Sequence, residues 1–357
     1  MPLGRVLLRW PGSGIGSPGM DDRPIGMFDS GFGGLTVARA LIDLLPSEDL
    51  VYVGDTARYP YGSRSLDEVR LFSSQITHKL VEEHDVKLVV VACNNATAAA
   101  LEHLRYEFDV PLVGVIDPGL RALLSVTRTG RVGVIGTVGT IASGAYQGAL
   151  KRWSLAASGP PIELTCAACP GFVELVERGE TGGAEAIALA ERLLAPVVGA
   201  GVESLLLGCT HYPYLARAIG EVMGPQVVLV SSAEETAFEV RGILSETGLG
   251  RRPVRSNGSS RCRPDDSSTG SRSGRPDDSS TGSHRWISSG EAGIFVRVGQ
   301  HLFGPELDEA DHWEPPCAAG RRDRVPETLL PDEMLPDEMR PDEMRPEVLR
   351  TAEMLNR

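Results

Sequence analysis

The chain has no long apolar run, few cysteines and few aromatic residues. No stretch of its 357 residues approaches the roughly 18 consecutive apolar positions that a membrane-spanning helix needs. The opening residues hold too short an apolar run for the core of a signal peptide. Six cysteines spread over the whole length exclude the dense disulfide framework of a small secreted domain. These absences predict a soluble protein of a reducing compartment, and we expect it in the cytoplasm.

Positive charge is scarce relative to negative charge. The chain carries 35 Lys and Arg against 48 Asp and Glu, which gives a formal net charge of −13. This balance argues against direct nucleic-acid binding and against binding to an anionic membrane. Hydrophobic residues make up 41% of the chain, an ordinary share for a globular protein, so a sizeable core can form.

Two stretches share one pattern: a short apolar strand, then a cysteine, then the start of a helix. Residues 88–91 predict a buried strand, which Cys93 and an Ala-rich helical segment follow. Residues 205–207 predict a second strand, which Cys209 follows. Open α/β sheets bind their ligands at the carboxyl ends of the strands. The two units therefore predict two related halves that each present one thiol.

Strands and helices alternate along most of the chain. This alternation predicts the α/β class, with mostly parallel sheets and helices on both faces. A strand at residues 25–28 runs into a glycine-rich turn at 29–34 and then a helix, whose first backbone amides can hold a carboxylate or a phosphate. These glycines miss the GxGxxG spacing, so we predict no dinucleotide cofactor. Further along, we predict one helix over residues 138–150.

Three segments have compositions that favour disorder. RPDDSSTGS occurs at 263–271 and again at 275–283, and such polar turn residues cannot bury a core. The chain ends in PDEM repeats with a proline every five residues, which prevents a continuous helix. We expect a disordered insertion over about 251–284, a disordered acidic tail over 308–357 and a flexible extension over 1–23.

The paired cysteines suggest acid/base chemistry on the two faces of one carbon. A thiol between a strand end and a helix N-terminus can have a lowered pKa and react as a thiolate. Free cysteine also packs as a small core residue, which is the alternative for each one alone. If the two halves face each other, Cys93 and Cys209 could remove and deliver a Cα proton from opposite sides, as a cofactor-independent racemase requires. Asp29 and His211 could orient these protons, although Asp29 also fits a helix N-cap and His211 a loop histidine.

Metal ligation is the other chemistry open to these thiols. Cys166 and Cys169 have CxxC spacing, and Cys209 and His211 would add two more ligands. No second CxxC and no HxxxH spacing accompany them, so we predict no metal site.

Six motifs together resemble the glutamate racemases of the aspartate/glutamate racemase superfamily. They are PIGMFDSGFGGLTV, YVGDTARYPYG, VVVACNNATAAAL, VPLVGVIDPG, VGVIGTVGTIASGAY and LLLGCTHYPYL. The resemblance covers about residues 24–307, apart from the insertion. It implies two pseudo-symmetric three-layer α/β domains with the active site at their interface. Domain A would comprise residues 24–117 and 229–307, and domain B residues 118–228.

The resemblance also implies the activity and its residues. It implies cofactor-independent interconversion of L-glutamate and D-glutamate, which supplies D-glutamate for peptidoglycan synthesis, by a homodimer. In the family the first cysteine acts on D-glutamate and the second on L-glutamate, and these positions are Cys93 and Cys209 here. Asp29, His211 and the helper glutamate, which falls on Glu177, complete the catalytic set. The implied substrate-binding set is Asp29, Ser30, Tyr61, Gly62, Asn94, Asn95, Thr137, Thr210 and His211.

Two places depart from the family pattern, Asn95 and, more mildly, Ser232-Ala233-Glu234, where the family has Ser-Gly-Asp/Glu. Two alternative functions stay open. Where the family usually has Cys-Asn-Thr or Cys-Asn-Ser, this chain has Asn95, a larger side chain that can both donate and accept hydrogen bonds. One alternative is a racemase of the same superfamily that acts on aspartate or another amino acid. The other is a weakly catalytic or non-catalytic binding protein of the same fold, whose tail or insertion engages a partner such as a topoisomerase.

Overall fold

The computed structural model describes residues 21–156, 161–251 and 281–316. The strands found in these residues lie in two sheets. They are β1 (Ile25–Asp29), β2 (Leu50–Gly54), β3 (Leu88–Val91), β4 (Leu112–Gly114), β5 (Arg131–Gly136), β6 (Glu163–Ala168), β7 (Ser204–Leu207), β8 (Val228–Ser231), β9 (His284–Ser288) and β10 (Asp311–His312).

Helices connect most consecutive strands. They are α1 (Leu35–Leu44), α2 (Leu66–His78), α3 (Asn94–Glu107), α4 (Ile116–Val126), α5 (Val138–Ala142), α6 (Ala145–Ala156), α7 (Phe172–Glu177), α8 (Ala184–Gly199), α9 (Ala216–Met223), α10 (Ala233–Thr247) and α11 (Ala292–Leu302). Helix α2 continues into a π-helical turn at Lys79–Glu83, and short 3₁₀ turns occur at Tyr61–Ser63 and Tyr212–Leu215. Within the described ranges, none of these helices has the length and apolar character to cross a bilayer.

Both sheets are parallel and share one strand order. The first sheet has the order β10-β9-β2-β1-β3-β4 and the second has the order β6-β5-β7-β8. Among the described residues, all neighbouring strands in both sheets pair in parallel. The segment β2-β1-β3-β4 therefore corresponds to β6-β5-β7-β8, strand for strand. The predicted α/β class with two pseudo-symmetric parallel sheets is confirmed.

Each sheet is covered by helices on both faces. Strand β3 is buried along its whole length, as its run of Leu and Val requires when both faces are covered. Side chains of α1, α10 and α11 form one apolar layer over the first sheet, and those of α2 and α3 form the other. Over the second sheet, α7, α8 and α9 form one layer, and α4 and α6 form the other. Each half is thus built of three layers.

The predicted single helix over residues 138–150 is wrong. The chain forms α5 and α6 instead, separated by Ser143 and Gly144, and Gly144 has a φ of +67°. A residue in the left-handed region turns the backbone out of the helical path, and glycine adopts it without a Cβ clash. The break leaves α5 as a short helix whose first turn is capped by Thr137, which accepts a hydrogen bond from the Thr140 backbone N–H at 3.3 Å.

Two strands lie across or beyond the predicted limits of domains A and B. Strand β8 pairs with β7, so the second sheet continues to Ser231, past the predicted limit of domain B at residue 228. Disorder was predicted from residue 308, but β10 pairs with β9 and Trp313 donates its backbone N–H to the Ser288 carbonyl oxygen at 2.8 Å. The prediction is therefore wrong for residues 308–316, because the Trp313 ring packs against the core of the first sheet. The division into two domains stays a prediction.

The predicted flexible extension, the insertion and the rest of the tail lie mainly outside the described residues. The described ends of the insertion meet one loop before β2. Arg251 donates its backbone N–H to the Glu48 carboxylate at 2.7 Å, and Gly282 donates to the Pro46 carbonyl oxygen at 2.7 Å. His284, the last residue of the predicted insertion, already belongs to β9.

Candidate active site

A cavity of about 170 Å³ lies at the carboxyl ends of strands from both sheets. Cys93 follows β3, and Cys209 follows β7, which is the corresponding strand of the second sheet. The two related halves therefore present equivalent cysteines to one space. The lining residues are Asp29, Ser30, Tyr59, Pro60, Tyr61, Gly62, Ser63, Cys93, Asn94, Asn95, Thr137, Val138, Cys169, Pro170, Gly171, Val173, Glu174, Cys209, Thr210 and His211.

All but one of the predicted site residues line this cavity. The exception is Glu177, which lies at the end of α7 with its Oε1 3.4 Å from His211 Nε2. Sequence reasoning missed Tyr59, Cys169 and Glu174, which also line the cavity. For Cys169 a signal was present, because it comes directly after β6, one position nearer its strand than the other two lining cysteines are to theirs.

Cys93 lies beside Ser30 and Asp29. Its thiol donates toward Ser30 Oγ at 3.6 Å, and the buried Asp29 carboxylate accepts from the Gly31 backbone N–H at 2.9 Å. Burial raises the pKa of Asp29. Burial also raises the pKa of Cys93, and the Asp29 charge raises it further, to about 12. The lowered pKa predicted for Cys93 is therefore wrong, because a thiolate would be a second buried negative charge beside Asp29 and the helix N-terminus does not compensate for it.

Cys209 forms a polar pair with His211. Its Sγ lies 3.8 Å from His211 Nδ1, and the other ring nitrogen faces Glu177. Burial lowers the pKa of His211, but Cys209, Glu177 and the Asp29 charge raise it more strongly, to about 10. His211 is therefore an imidazolium at neutral pH. A cation beside the sulfur stabilises negative charge there, which is the arrangement an activated thiol requires.

The loop that carries Cys209 packs against the glycine-rich turn of the first half. A Cβ atom at Gly33 would lie 2.4 Å from His211 Nδ1, so the imidazole occupies space that only glycine leaves open. Thr36, in the first turn of α1, donates its hydroxyl to the Thr210 carbonyl oxygen at 3.2 Å. These contacts fix the loop of the second half against the first.

Two consecutive asparagines at the start of α3 reach the second half. Asn95 Oδ1 accepts hydrogen bonds from Thr137 Oγ1 at 2.9 Å and from Thr140 Oγ1 at 3.0 Å. Asn94 donates its amide to the Tyr146 hydroxyl at 2.9 Å. The side chain that departs from the family pattern thus joins α3 to the start of α5.

A buried carboxylate holds the loop that contributes Tyr61 and Gly62. Asp55 is fully buried and accepts from Arg58 Nε at 2.8 Å and from Ser289 Oγ at 2.6 Å. The Tyr61 hydroxyl donates to the same carboxylate. Because three donors converge on one buried group, this loop is held firmly at the cavity wall.

The cavity combines hydrogen-bond donors and acceptors with little fixed positive charge. Among the described residues that line it, none is Lys or Arg. An anion would meet hydroxyl and amide groups, the His211 cation and the amino end of α3, whose first N–H groups have no helical partner. The buried Oδ1 atoms of Asp29 and Asn94 accept no hydrogen bond from the described residues and can accept from an amine. A zwitterionic amino acid fits this set.

Comparisons with known proteins agree with this arrangement. A model of the Asp/Glu/Hydantoin racemase family matches residues 35–238. The glutamate racemase of Acidothermus cellulolyticus is 46% identical over 288 residues, which cover 81% of this chain and 98% of that protein. The glutamate racemase of Beutenbergia cavernae is 48% identical over 293 residues, which cover 81% and 92%. The crystal structure of glutamate racemase isoform RacE1 from Bacillus anthracis aligns with a TM-score of 0.68 at 34% identity, covering 81% of this chain and 96% of that one.

Two matching parallel sheets around one cavity with paired thiols define an α/β protein of the racemase class. Both the sequence relatives and the solved structure match over nearly their whole length. The chain belongs to the Asp/Glu/Hydantoin racemase family.

Proposed function

We propose that this enzyme interconverts L-glutamate and D-glutamate without a cofactor and supplies D-glutamate for peptidoglycan synthesis. The observation that carries the proposal is that Cys93 and Cys209 come from equivalent strands and line one cavity. Each thiol has its own acid/base neighbour, Asp29 on one side and His211 on the other. The choice of glutamate is supported by relatives that are glutamate racemases.

In the direction from L-glutamate to D-glutamate, Cys209 is the base. Its sulfur, which lies 3.8 Å from Nδ1 of the His211 imidazolium, takes the Cα proton as a thiolate and becomes a thiol. Cys93 is protonated in the resting site because its pKa is about 12, so its S–H delivers a proton to the opposite face of Cα. Cys93 is left as a thiolate, and the reverse direction starts from this state. Each thiol thus acts once as acid and once as base.

The carbanionic transition state requires fixed dipoles around the reacting carbon. We assign this task to the amino end of α3 and to the polar groups that line the cavity. Ser30 and Asn94 adjoin Cys93, and Thr210 adjoins Cys209, so these three lie next to the reacting atoms. We propose that they bind the substrate together with Asp29, Tyr61, Gly62, Asn95, Thr137 and His211.

The test is a racemisation assay on dialysed protein with each enantiomer of glutamate, followed by chiral separation. We expect both enantiomers to reach a 1:1 mixture without added pyridoxal phosphate or metal, and Cys93→Ala and Cys209→Ala each to abolish the conversion. L-Aspartate is the matched substrate control, and faster conversion of aspartate would move the assignment to another racemase of the family. A folded wild-type protein that converts no amino acid would overturn the proposal.

We further propose that the enzyme is a cytoplasmic homodimer. The described cysteines are free thiols, and two of them must stay reduced for the reaction, which favours a reducing compartment. The dimer rests on the family resemblance, and light scattering after size-exclusion chromatography would test it. A monomer mass at micromolar concentration, in protein that racemises glutamate, would contradict the dimer.

A further inference from the structure

Three buried polar atoms behind Cys209 have no hydrogen-bond partner among the described residues. They are the Tyr59 hydroxyl, Glu177 Oε1 and His211 Nε2. Glu177 Oε1 lies 3.4 Å from His211 Nε2, and the Tyr59 and His211 rings have centroids 6.5 Å apart. Buried polar groups are nearly always paired, so a cluster of unpaired ones at an active site requires an explanation.

Glu177 is the group that the other two atoms share. Burial raises the pKa of Tyr59 and the Glu177 carboxylate raises it further, which indicates that the hydroxyl and the carboxylate are close. The same carboxylate raises the pKa of His211. A small rotation of Glu177 would let one carboxylate accept from the Tyr59 O–H and the His211 Nε2–H together, which satisfies all three atoms.

The loop presents Tyr59 at a fixed place. Its neighbours Arg58 and Tyr61 both donate to the buried Asp55 carboxylate. The Tyr59 ring packs on the glycine-rich turn, where a Cβ atom at Gly31 would lie 3.0 Å from Tyr59 Cδ2. Removing only the hydroxyl therefore leaves the packing of the ring unchanged.

We propose that Tyr59 is a positioning residue for the Cys209 side of the reaction. Its hydroxyl donates to Glu177 and holds that carboxylate against His211 Nε2, so that the imidazole keeps Nδ1 directed at the Cys209 sulfur. A carboxylate that orients a histidine toward a nucleophile or base is a general device of acid/base sites, and here a phenol orients the carboxylate in turn. This role rests on the proposed function, in which Cys209 acts on L-glutamate.

Other titratable groups surround the chain of contacts from Tyr59 to Cys209. They are Asp29 from the first half and Cys169, Glu174 and Tyr212 from the second. Glu177 and Cys209 are the two groups that act on both Tyr59 and His211, and Cys209 is the thiol whose reaction the cluster serves. We therefore expect a substitution of Tyr59 to affect His211 through the Glu177 carboxylate.

The first test compares Tyr59→Phe with Tyr106→Phe, a matched control because Tyr106 is 78% exposed on α3. We expect a roughly tenfold fall in kcat for Tyr59→Phe, the scale of one hydrogen bond to a charged group, and no change for the control.

Since the equilibrium constant of racemisation is one, kcat/KM must fall equally in both directions. Primary deuterium isotope effects distinguish the step at Cys209 from the step at Cys93. In Tyr59→Phe the isotope effect should rise with α-deuterated L-glutamate, because Cys209 takes the deuteron from this enantiomer. It should not rise with α-deuterated D-glutamate. A rise for both enantiomers, or for neither, would overturn the proposal.

The second test does not depend on turnover. Iodoacetamide alkylation of each thiol is followed against pH by peptide mass spectrometry. In Tyr59→Phe, Cys209 should be alkylated more slowly across the profile, because a less firmly held His211 stabilises negative charge on the sulfur less, whereas the profile of Cys93 should not change. An unchanged Cys209 profile in folded protein refutes the role of Tyr59, and it does so even if the wild-type enzyme fails to racemise glutamate.

A double-mutant cycle with Glu177→Gln completes the design. If Tyr59 acts through Glu177, the double variant should be little slower than Glu177→Gln alone. Additive losses would show that the hydroxyl acts by another route and would overturn the proposal.

Discussion

The Asn95 bridge gives the sharpest quantitative prediction about how the two halves are held together. Asn95 Oδ1 accepts from the hydroxyls of Thr137 and Thr140 at 2.9 and 3.0 Å, across the boundary between α3 and α5. Asn95→Ala removes the acceptor and leaves two threonine hydroxyls to find other partners. Thr140 is fully buried, so its hydroxyl has no access to bulk water.

The expected loss follows from the number of bonds. Each neutral hydrogen bond contributes a net ~0.5–1.5 kcal/mol, so losing two lowers the free energy of unfolding by about 1–3 kcal/mol. Because the bridge also holds the cavity wall around Cys93, kcat/KM should fall by about tenfold, which corresponds to a rise of ~1.4 kcal/mol in the activation free energy. Thr140→Val is the matched variant, since it removes one donor at nearly constant volume and should lose about half as much stability.

Urea denaturation gives the unfolding free energies, and initial rates with L-glutamate give kcat/KM. Asn95→Thr, which restores the residue usual in the family, should lie between the wild type and Asn95→Ala. The double variant Asn95→Ala/Thr140→Val should be no less stable than Asn95→Ala alone, because both remove the same bond. Surface substitutions usually change the free energy of unfolding by no more than about 0.5 kcal/mol. If Asn95→Ala changes it by no more than this and keeps full activity, the hydrogen bonds of Asn95 do not stabilise the protein.

Four further predictions concern charge and chain organisation. Asp29→Asn should speed the alkylation of Cys93 by iodoacetamide at pH 8, because the Asp29 charge helps to raise the pKa of that thiol to about 12, yet it should slow racemisation. Turnover should fall as pH rises through about 10, where His211 loses its proton. The stability that its raised pKa contributes is complete below about 6.5 and should be lost progressively between about 6.5 and about 10. Glu174→Gln should lower KM about twofold in low salt, because the exposed Glu174 carboxylate at the cavity weakly repels glutamate, whose two carboxylates outweigh its one ammonium group. Replacing residues 252–280 by a short Gly-Ser linker should leave kcat/KM unchanged, because Arg251 and Gly282 are both held at the loop before β2.

Each of these predictions has a contradicting result. Unchanged Cys93 alkylation in Asp29→Asn would show that burial alone sets that pKa. A pH–rate profile that stays flat past pH 11 would remove His211 from the reaction. A KM for Glu174→Gln that is unaffected, or affected equally at low and high salt, would exclude electrostatic repulsion. Lost activity on removal of residues 252–280 would favour the alternative in which the insertion has a role of its own.

The strand-cysteine-helix pattern predicted two related halves with one thiol each, and the family resemblance implied most of the other residues that line the cavity. Parallel strands end at one edge of a sheet, so residues that follow strands in sequence become neighbours in space. This rule brings Cys93 and Cys209 to one cavity, although they are far apart in the chain. Matching strand orders in the two sheets follow from the same repeated unit.

The features that escaped prediction depend on contacts between the halves or on burial. No local pattern in the sequence indicates that Asn95 accepts from two threonines of the other half, or that Glu177 contacts His211 from outside the cavity lining. The pKa of Cys93 was mispredicted because a helix N-terminus can be recognised from sequence, whereas complete burial beside Asp29 cannot. The break at Gly144 shows the same limit, since a glycine inside an apolar periodic run is also compatible with a continuous helix.

The central claim, that two thiols act on opposite faces of one carbon, is tested most directly by partial conversion of L-glutamate in deuterium oxide. At a few per cent conversion, the D-glutamate formed and the L-glutamate left are separated and their Cα deuterium is measured. If two thiols with separate protons act on Cα, the D-glutamate formed should carry deuterium from the solvent-exchanged thiol. The recovered L-glutamate should keep protium. Equal deuterium in both enantiomers, or substrate-derived protium in the product, would indicate one shared acid/base group and would contradict the roles assigned to Cys93 and Cys209.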